Sequence, residues 1–214
     1  SLLQSQINPH FLYNTLDSIY SVAMKNNIRE ISEMVINLAQ FFRVSLGKGR
    51  DSFTLAETVQ HLMYYIRVQQ IRTDRFTVDI DLDERTKEIP VLKLILQPIV
   101  ENAIVHGLAQ SPFGGELRIR SRLLDGRLLI VVEDTGVGIP KAEMETLRRE
   151  LAGITSRSYR IAREQPFSHY FGLKNVKSRI KLYYGEDADL WVESEPEEGT
   201  KVTLILPPRK EGEA

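Results

Sequence analysis

The sequence contains no cysteine. That absence removes disulfide frameworks, thiolate zinc sites and cysteine nucleophiles together, and it fits a reducing compartment. Nowhere does an apolar run approach the roughly 20 residues needed to cross a bilayer, and no signal-peptide pattern opens the chain. Surplus charge of either sign is missing too: 28 Lys and Arg stand against 29 Asp and Glu, a formal net charge of −1. No global pull toward nucleic acid or anionic membrane follows, so direct nucleic-acid binding is not expected. There is no internal repeat, and no low-complexity tail beyond residues 210–214. What is present is material for a core. Of 214 residues, 42% are apolar, enough for one mid-sized domain or two small ones. The chain begins at Ser1 inside what reads as a helix, without an initiator methionine, so a cytoplasmic portion of a longer protein is expected.

Apolar positions recur at helical spacing over 4–25 (Ile7, Phe11, Leu12, Leu16, Ile19, Tyr20, Ala23) and again from Ile31 through Val44. The polar break Lys25-Asn26-Asn27 makes these two a hairpin. Two amphipathic helices cannot close a core, but two such pairs can, as a four-helix bundle in a homodimer. The alternative is that the pair packs on its own C-terminal domain. From Ser52 the texture changes. A third helix is expected over 55–72 and a strand over 76–82. Residues 90–106 read as a helix opened by Pro90 and closed by Gly107. Strands at 117–123 and 128–133 flank the hairpin signal Asp125-Gly126. A helix at 141–151, one at 172–184, and strands at 189–193 and 201–206 complete the order. The expected class is α+β: a dimerising helical hairpin over residues 1–50, then a two-layer α/β sandwich over 51–214.

Asp134-Thr135-Gly136-Val137-Gly138 follows an apolar strand. A carboxylate there can accept from an exocyclic amine, and the glycines allow close backbone approach to a ligand or positive φ. In isolation the pattern is as well read as an ordinary turn. Asn102 and His106 stand at i and i+4, sharing a helix face. An amide oxygen suits Mg²⁺, and His106 could touch phosphate or simply be a histidine favoured at a helix C-terminus. Gly172-Leu173-Lys174-Asn175-Val176 opens a helix whose N–H groups can face phosphate, and Glu198-Gly199-Thr200 precedes the last strand.

These four elements, in this order, resemble the N, G1, G2 and G3 boxes of the ATP-binding fold shared by gyrase, Hsp90, histidine kinases and MutL (the GHKL or Bergerat fold). Together with Gln6-Ile7-Asn8-Pro9-His10-Phe11-Leu12-Tyr13-Asn14 and the helix carrying Tyr65, Ile66, Gln69 and Arg72, the chain resembles the LytS/YesM-type sensor histidine kinases over nearly its whole length. The resemblance implies autophosphorylation of His10 by Mg-ATP held across Asn102 (the Mg²⁺ ligand), His106, Asp134, Gly136, Gly138, Gly172, Leu173, Asn175, Gly199 and Thr200. Residues 153–171 would form a lid, with Arg157, Arg160 and Arg163 as candidate phosphate contacts. It further implies onward transfer to an aspartate of a response-regulator receiver domain, and an upstream membrane-spanning sensor.

His10 and Asn14 again share a helix face, and a largely neutral imidazole can attack a phosphoryl group. Asn14 could orient that ring or the phosphoryl, or be an ordinary surface residue. Asn8-Pro9 is either an N-cap with proline at N1 or, as preferred here, a kink in a helix that continues upstream. Three residues depart from the commoner kinases. Phe11 stands where they carry the acidic base, Val105 where many carry Lys or Arg, and Glu197 replaces a glycine before Gly199. A gyrase-like ATPase is disfavoured because Pro98 occupies the place of its water-activating glutamate, and Glu101 points elsewhere on the helix. A serine kinase would need no His10, while a nucleotide-binding scaffold without transfer remains an alternative. His61 reads as a packing residue, and neither it nor His169 has a second ligand at metal spacing.

Overall fold

The computed structural model describes residues 9–47, 50–156 and 170–208. Expectations that fall on 1–8 (the continuation upstream of Pro9) and on 157–169 (most of the proposed lid, with Arg157, Arg160, Arg163 and His169) lie outside these. The chain forms two compact units, one of residues 1–50 with 59–74, the other of 51–58 with 75–214.

The first unit is helical. Helix α1 (Pro9–Lys25) and helix α2 (Arg29–Leu46) form the expected hairpin. Asn27 takes a left-handed φ of 55° at the turn, and the Ile28 N–H returns to the Ala23 carbonyl at 2.9 Å. An asparagine tolerates that conformation at little cost. Leu16, Ala23, Val35 and Phe41 are buried, but Phe11, Val22, Met24, Ile31 and Ile36 remain exposed, so the hairpin carries a second apolar face. Helix α3 (Leu55–Thr73) contributes Val59 onward to this unit. Its His61 is the packing residue the sequence implies. The ring stacks on Phe41 at 4.8 Å between centroids, and Nε2 lies 3.1 Å from the Phe41 carbonyl.

The start of α3 belongs to the second unit and is fixed by a reciprocal cap. The Thr54 N–H donates to Glu57 Oε2 at 3.0 Å, and the Glu57 N–H donates to Thr54 Oγ1 at 3.1 Å, which satisfies two of the helix's orphan donors. Ahead of it a short strand β1 (Ser52–Thr54) pairs antiparallel with β3 (Pro90–Leu92). The main sheet has five strands in the order β2 (Phe76–Leu82), β4 (Gly115–Leu124), β5 (Arg127–Asp134), β7 (Gly199–Leu206) and β6 (Asp189–Glu195). Among the described residues only the β2–β4 pairing is parallel. Asp125 and Gly126 both take positive φ (49° and 74°), the conformation a two-residue hairpin turn requires.

Alternation sorts the sheet into two faces. Leu117, Ile119, Leu128, Ile130, Val132, Leu190, Val192, Val202, Leu204 and Leu206 are buried beneath helices α4 (Gln97–Asn102), α5 (Lys141–Ala152) and α6 (Phe171–Tyr184). The opposite face carries Arg118, Arg120 and Arg122, paired with Glu116, Asp79 and Asp81. The result is the expected two-layer sandwich, with α4, α5 and α6 on one face. Edge strand β6 is plugged at Leu190. Its N–H donates to Asp189 Oδ1 at 2.8 Å, and its carbonyl accepts from Lys177 Nζ at 3.2 Å.

One sequence expectation needs correction. Residues 90–106 are not a single helix: Pro90 opens strand β3, and the proline inside a first helical turn is Pro98 of α4. Nor does Gly107 close the helix in a left-handed cap. Its φ is −95°, and the chain runs on from α4 through a wide turn (Ala103–Gly107), where the Leu108 N–H reaches the Ala103 carbonyl, into a 3-10 turn (Leu108–Gln110). The demand for glycine at 107 comes from a neighbour instead, because a Cβ there would stand 2.5 Å from Asp134 Oδ1.

Candidate functional site

A cavity of about 450 Å³ opens between the helical layer and the end of the sheet. Ile99, Asn102, Ala103, His106 and Gln110 wall it from α4 and its extension, while Val132 and Asp134 of β5 with Thr200 and Val202 of β7 form the floor. The loop Val137–Pro140, Glu143 of α5, and Tyr170 and Leu173 at the start of α6 complete the rim. Mostly apolar walls with few convergent polar groups are the character of a small-molecule site.

Asp134 is its chemical centre. It ends β5 with 3% of its surface exposed, and Oδ1 accepts from the Gly136 N–H at 2.9 Å. Burial pushes its carboxyl up to about 7, against backbone hydrogen bonds from Gly136 and Thr200 that pull it down. The loop that follows is stitched to the rest of the unit. The Val137 N–H donates to the Gly107 carbonyl at 3.3 Å, the Ile139 N–H to Ser194 Oγ at 2.9 Å, and Ser194 Oγ in turn to the Gly199 carbonyl at 2.7 Å.

Of the residues expected at a nucleotide site, Asn102, His106, Asp134, Gly138, Leu173 and Thr200 line the cavity. Gly136, Gly172 and Gly199 stand behind it as spacers. A Cβ on Gly136 would overlap the Gly107 backbone, one on Gly199 (φ +102°) would overlap the Asp134 carbonyl, and one on Gly172 would press Pro98 Cβ at 3.1 Å. Asn175 is not among the lining residues. Buried Asn102 Nδ2 has no hydrogen-bond partner among the described residues, so this amide is set up for a ligand rather than for the fold. The free N–H donor suits a phosphate oxygen, while the oxygen of the same amide is the ligand type that Mg²⁺ takes alongside phosphate and water. His10 and Asn14 lie on α1 in the helical unit, with Asn14 Nδ2 at 3.2 Å from His10 Nδ1.

Sequence reading missed Gln110, Glu143 and Tyr170. Glu143 and Tyr170 meet across the rim, the Tyr170 hydroxyl donating to Glu143 Oε2 at 2.9 Å. Glu143 in the first turn of α5 was a readable signal, since acidic residues favour that position, but nothing in the sequence pairs it with Tyr170.

The departure at Glu197 has a physical signature. Its backbone is left-handed, φ 68°, at the place where the resemblance implies a glycine, and its N–H still ties the turn to the Val137 carbonyl at 2.8 Å. A non-glycine residue there costs on the order of 1 kcal/mol. Glu197→Gly is therefore expected to leave nucleotide binding intact and to raise stability by about 0.5–1 kcal/mol, read as a higher urea midpoint at unchanged slope.

Comparison with known proteins also finds two parts. Residues 87–210 match the family of histidine kinase-, DNA gyrase B- and HSP90-like ATPases, and residues 1–76 match a histidine kinase family. Sensor histidine kinase YesM of Bacillus subtilis is 35% identical over 210 residues, covering 98% of this chain and 33% of its own length. Sensor histidine kinase BtsS of Escherichia coli is 31% identical over 213 residues, with the same two coverages. The chain thus spans about a third of these curated relatives. Among solved structures, the histidine kinase domain of the Erythrobacter litoralis EL346 blue-light activated kinase aligns with TM-score 0.50 at 17% identity, covering 94% of this chain and 86% of that one. The catalytic domain of histidine kinase ThkA aligns with TM-score 0.52 at 17% identity, covering 75% of this chain and 97% of that one. At such identities these two speak for the fold.

Proposed function

Because the chain belongs to the histidine kinase-, DNA gyrase B- and HSP90-like ATPase family, with a histidine kinase domain ahead of it, we propose that it moves the γ-phosphoryl of Mg-ATP onto His10. The observation that carries the reading is the cavity with a buried carboxylate at its floor and, on its wall, an amide nitrogen without a partner among the described residues. Asp134 accepts from the exocyclic amine of adenine, while Val132, Ile139 and Val202 surround the base. Asn102 would hold Mg²⁺, and His106 with the first N–H groups of α6 would meet the phosphates. Bound Mg²⁺ would neutralise charge between the phosphates and orient the γ-group. A ring nitrogen of His10 attacks, the P–N bond forms as the bond to the β,γ-bridging oxygen breaks, and ADP leaves. Asn14 orients the imidazole. Hydrolysis in the gyrase manner is disfavoured, since Pro98 cannot activate water and Glu101 is exposed away from the cavity.

The unpaired apolar face of the α1–α2 hairpin supports pairing with a second copy as a four-helix bundle. A response-regulator receiver domain, docking near His10, would accept the phosphoryl group on an aspartate. No helix among the described residues is long and apolar enough to cross a membrane. A membrane-spanning sensor would belong to the two thirds of the relatives' length that this chain does not span. Label transfer from γ-labelled ATP that depends on both His10 and Asn102 tests the whole reading.

The nucleotide half has its own test in pH. An amine donor needs the ionised carboxylate, and with the Asp134 carboxyl near 7 every unit below that value costs ATP affinity up to about tenfold. The sign for stability is opposite. The folded state keeps a proton that the unfolded chain loses above its ordinary value of 3.8, so without ligand stability falls as pH rises from there toward 7 and is level beyond. Inosine triphosphate offers a carbonyl in place of the amine and should bind better in acid. Parallel pH slopes for the two nucleotides would remove Asp134 from base recognition.

A further inference from the structure

Two carboxylates, Asp134 and Glu143, are among the residues that line the cavity. The first is buried at the end of β5, whereas the second stands on the rim in the first turn of α5. A carboxylate is a poor neighbour for a triphosphate, because like charges repel and each would be left without a donor. Glu143 therefore suits the part of the ligand that is uncharged and rich in hydroxyls. Its setting is built rather than incidental. The Tyr170 hydroxyl donates to Oε2 at 2.9 Å, burial and the nearby carboxylate both hold that phenol in its protonated form, and Tyr170 is its one side-chain partner among the described residues. One α5–α6 brace lies beyond it, Lys174 Nζ to Glu150 Oε2 at 3.0 Å, so the two helices that carry the pair are held together independently of it.

Resting on the nucleotide reading above, we propose that Glu143, positioned by Tyr170, reads the sugar: its carboxylate oxygens accept from the vicinal 2′- and 3′-hydroxyls of ribose and make the site selective for ribonucleotides. With the base fixed at Asp134 and the phosphates at the Asn102 and α6 end, the sugar is the section of the ligand left for the rim. A carboxylate that takes both hydroxyls of a ribose discriminates by the hydrogen bond that a deoxy-sugar cannot return. Tyr170 acts through Glu143. By occupying one lone pair of Oε2 it fixes the rotamer that presents the others.

The test is calorimetric titration of the whole chain with Mg-ATP and with its 2′-deoxy and 3′-deoxy analogues. Wild type, Glu143→Gln, Glu143→Ala and Tyr170→Phe are compared, with thermal melts as the folding control. Wild type is expected to prefer ATP over each deoxy-nucleotide by about tenfold, the usual worth of one hydrogen bond to a charged group. Glu143→Ala should reduce that ratio to below about twofold, because ATP loses two hydrogen bonds to the carboxylate and each deoxy-nucleotide only the one it still makes, about tenfold in its own affinity. Glu143→Gln, which keeps an acceptor without the charge, should fall between, and Tyr170→Phe should weaken the discrimination without abolishing it. A ratio unchanged in Glu143→Ala overturns the proposal. So does an equal rise in affinity for all three nucleotides, since Glu143 would then act only through its charge on the phosphates. Failure of wild type to bind any of them strikes instead at the nucleotide reading on which this inference rests.

Discussion

His10→Gln is expected to abolish the acid-labile, alkali-stable label proposed to form from γ-labelled ATP, a loss of at least about a thousandfold. Glutamine keeps the length and polarity of the side chain but has no ring nitrogen to form a P–N bond. His10 sits in the first turn of α1, exposed, with its Nδ1 beside Asn14, so the fold should be unchanged. ATP affinity should be unchanged as well. Asn102→Ala supplies the complementary result. It removes the amide proposed to hold Mg²⁺ and lowers labelling by about a hundredfold or more while His10 is intact. Label retained in His10→Gln would point to another acceptor. Label absent in wild type, with ATP still bound, would leave a nucleotide-binding scaffold or a core that is silent without its sensor.

Gly199→Ala is expected to damage the α/β unit strongly. The residue has a φ of +102°, a region closed to side chains, and a Cβ there would overlap the Asp134 carbonyl. The conformational cost and the forced displacement add to roughly 3–5 kcal/mol, or about 10 °C in melting temperature for a unit of this size. The displaced atom belongs to the residue proposed to bind adenine, so nucleotide affinity should fall by about a hundredfold even where the protein remains folded. Gly126→Ala is the matched control. Its φ of +74° is also left-handed, but a Cβ there meets nothing within 4 Å, so only about 1 kcal/mol should be lost and binding should be untouched. Equal losses in the two variants would mean that the close approach at Gly199 carries no weight.

The elements with a strong period were legible in the sequence. Helices α1, α2, α5 and α6 and strands β2, β4 and β5 fall within a few residues of their expected places, because amphipathic spacing and the Asp125-Gly126 turn report directly on burial and backbone geometry. What the sequence concealed is non-local. Strand β3 is three residues long and exists through its pairing with β1, some 38 positions earlier in the register, so Pro90 looked like a helix opener. The role of Gly107 could not be read either. A glycine after a helical stretch signals a cap, but here it makes room for a carboxylate delivered by β5. Asn102, His106 and Asp134 were findable because their residue types match a chemistry at a recognisable spacing. Glu143 and Tyr170 were not, since their hydrogen bond joins two helices across a segment with no periodicity of its own.

The plug at Leu190 bears on how the protein behaves when it is crowded. A sheet edge that offers bare N–H and C=O groups is a template on which a second chain can extend the ladder, and β6 is such an edge. Lys177, itself nearly buried, and Asp189 form an ion pair at 2.7 Å and between them occupy both backbone groups of Leu190. A lysine so placed makes docking a foreign strand expensive, because the incomer would have to displace a charge already satisfied. Association through the apolar face of the helical hairpin, proposed above to pair with a second copy, would instead stop at a fixed number of copies. Pairing along β6 would have no such limit.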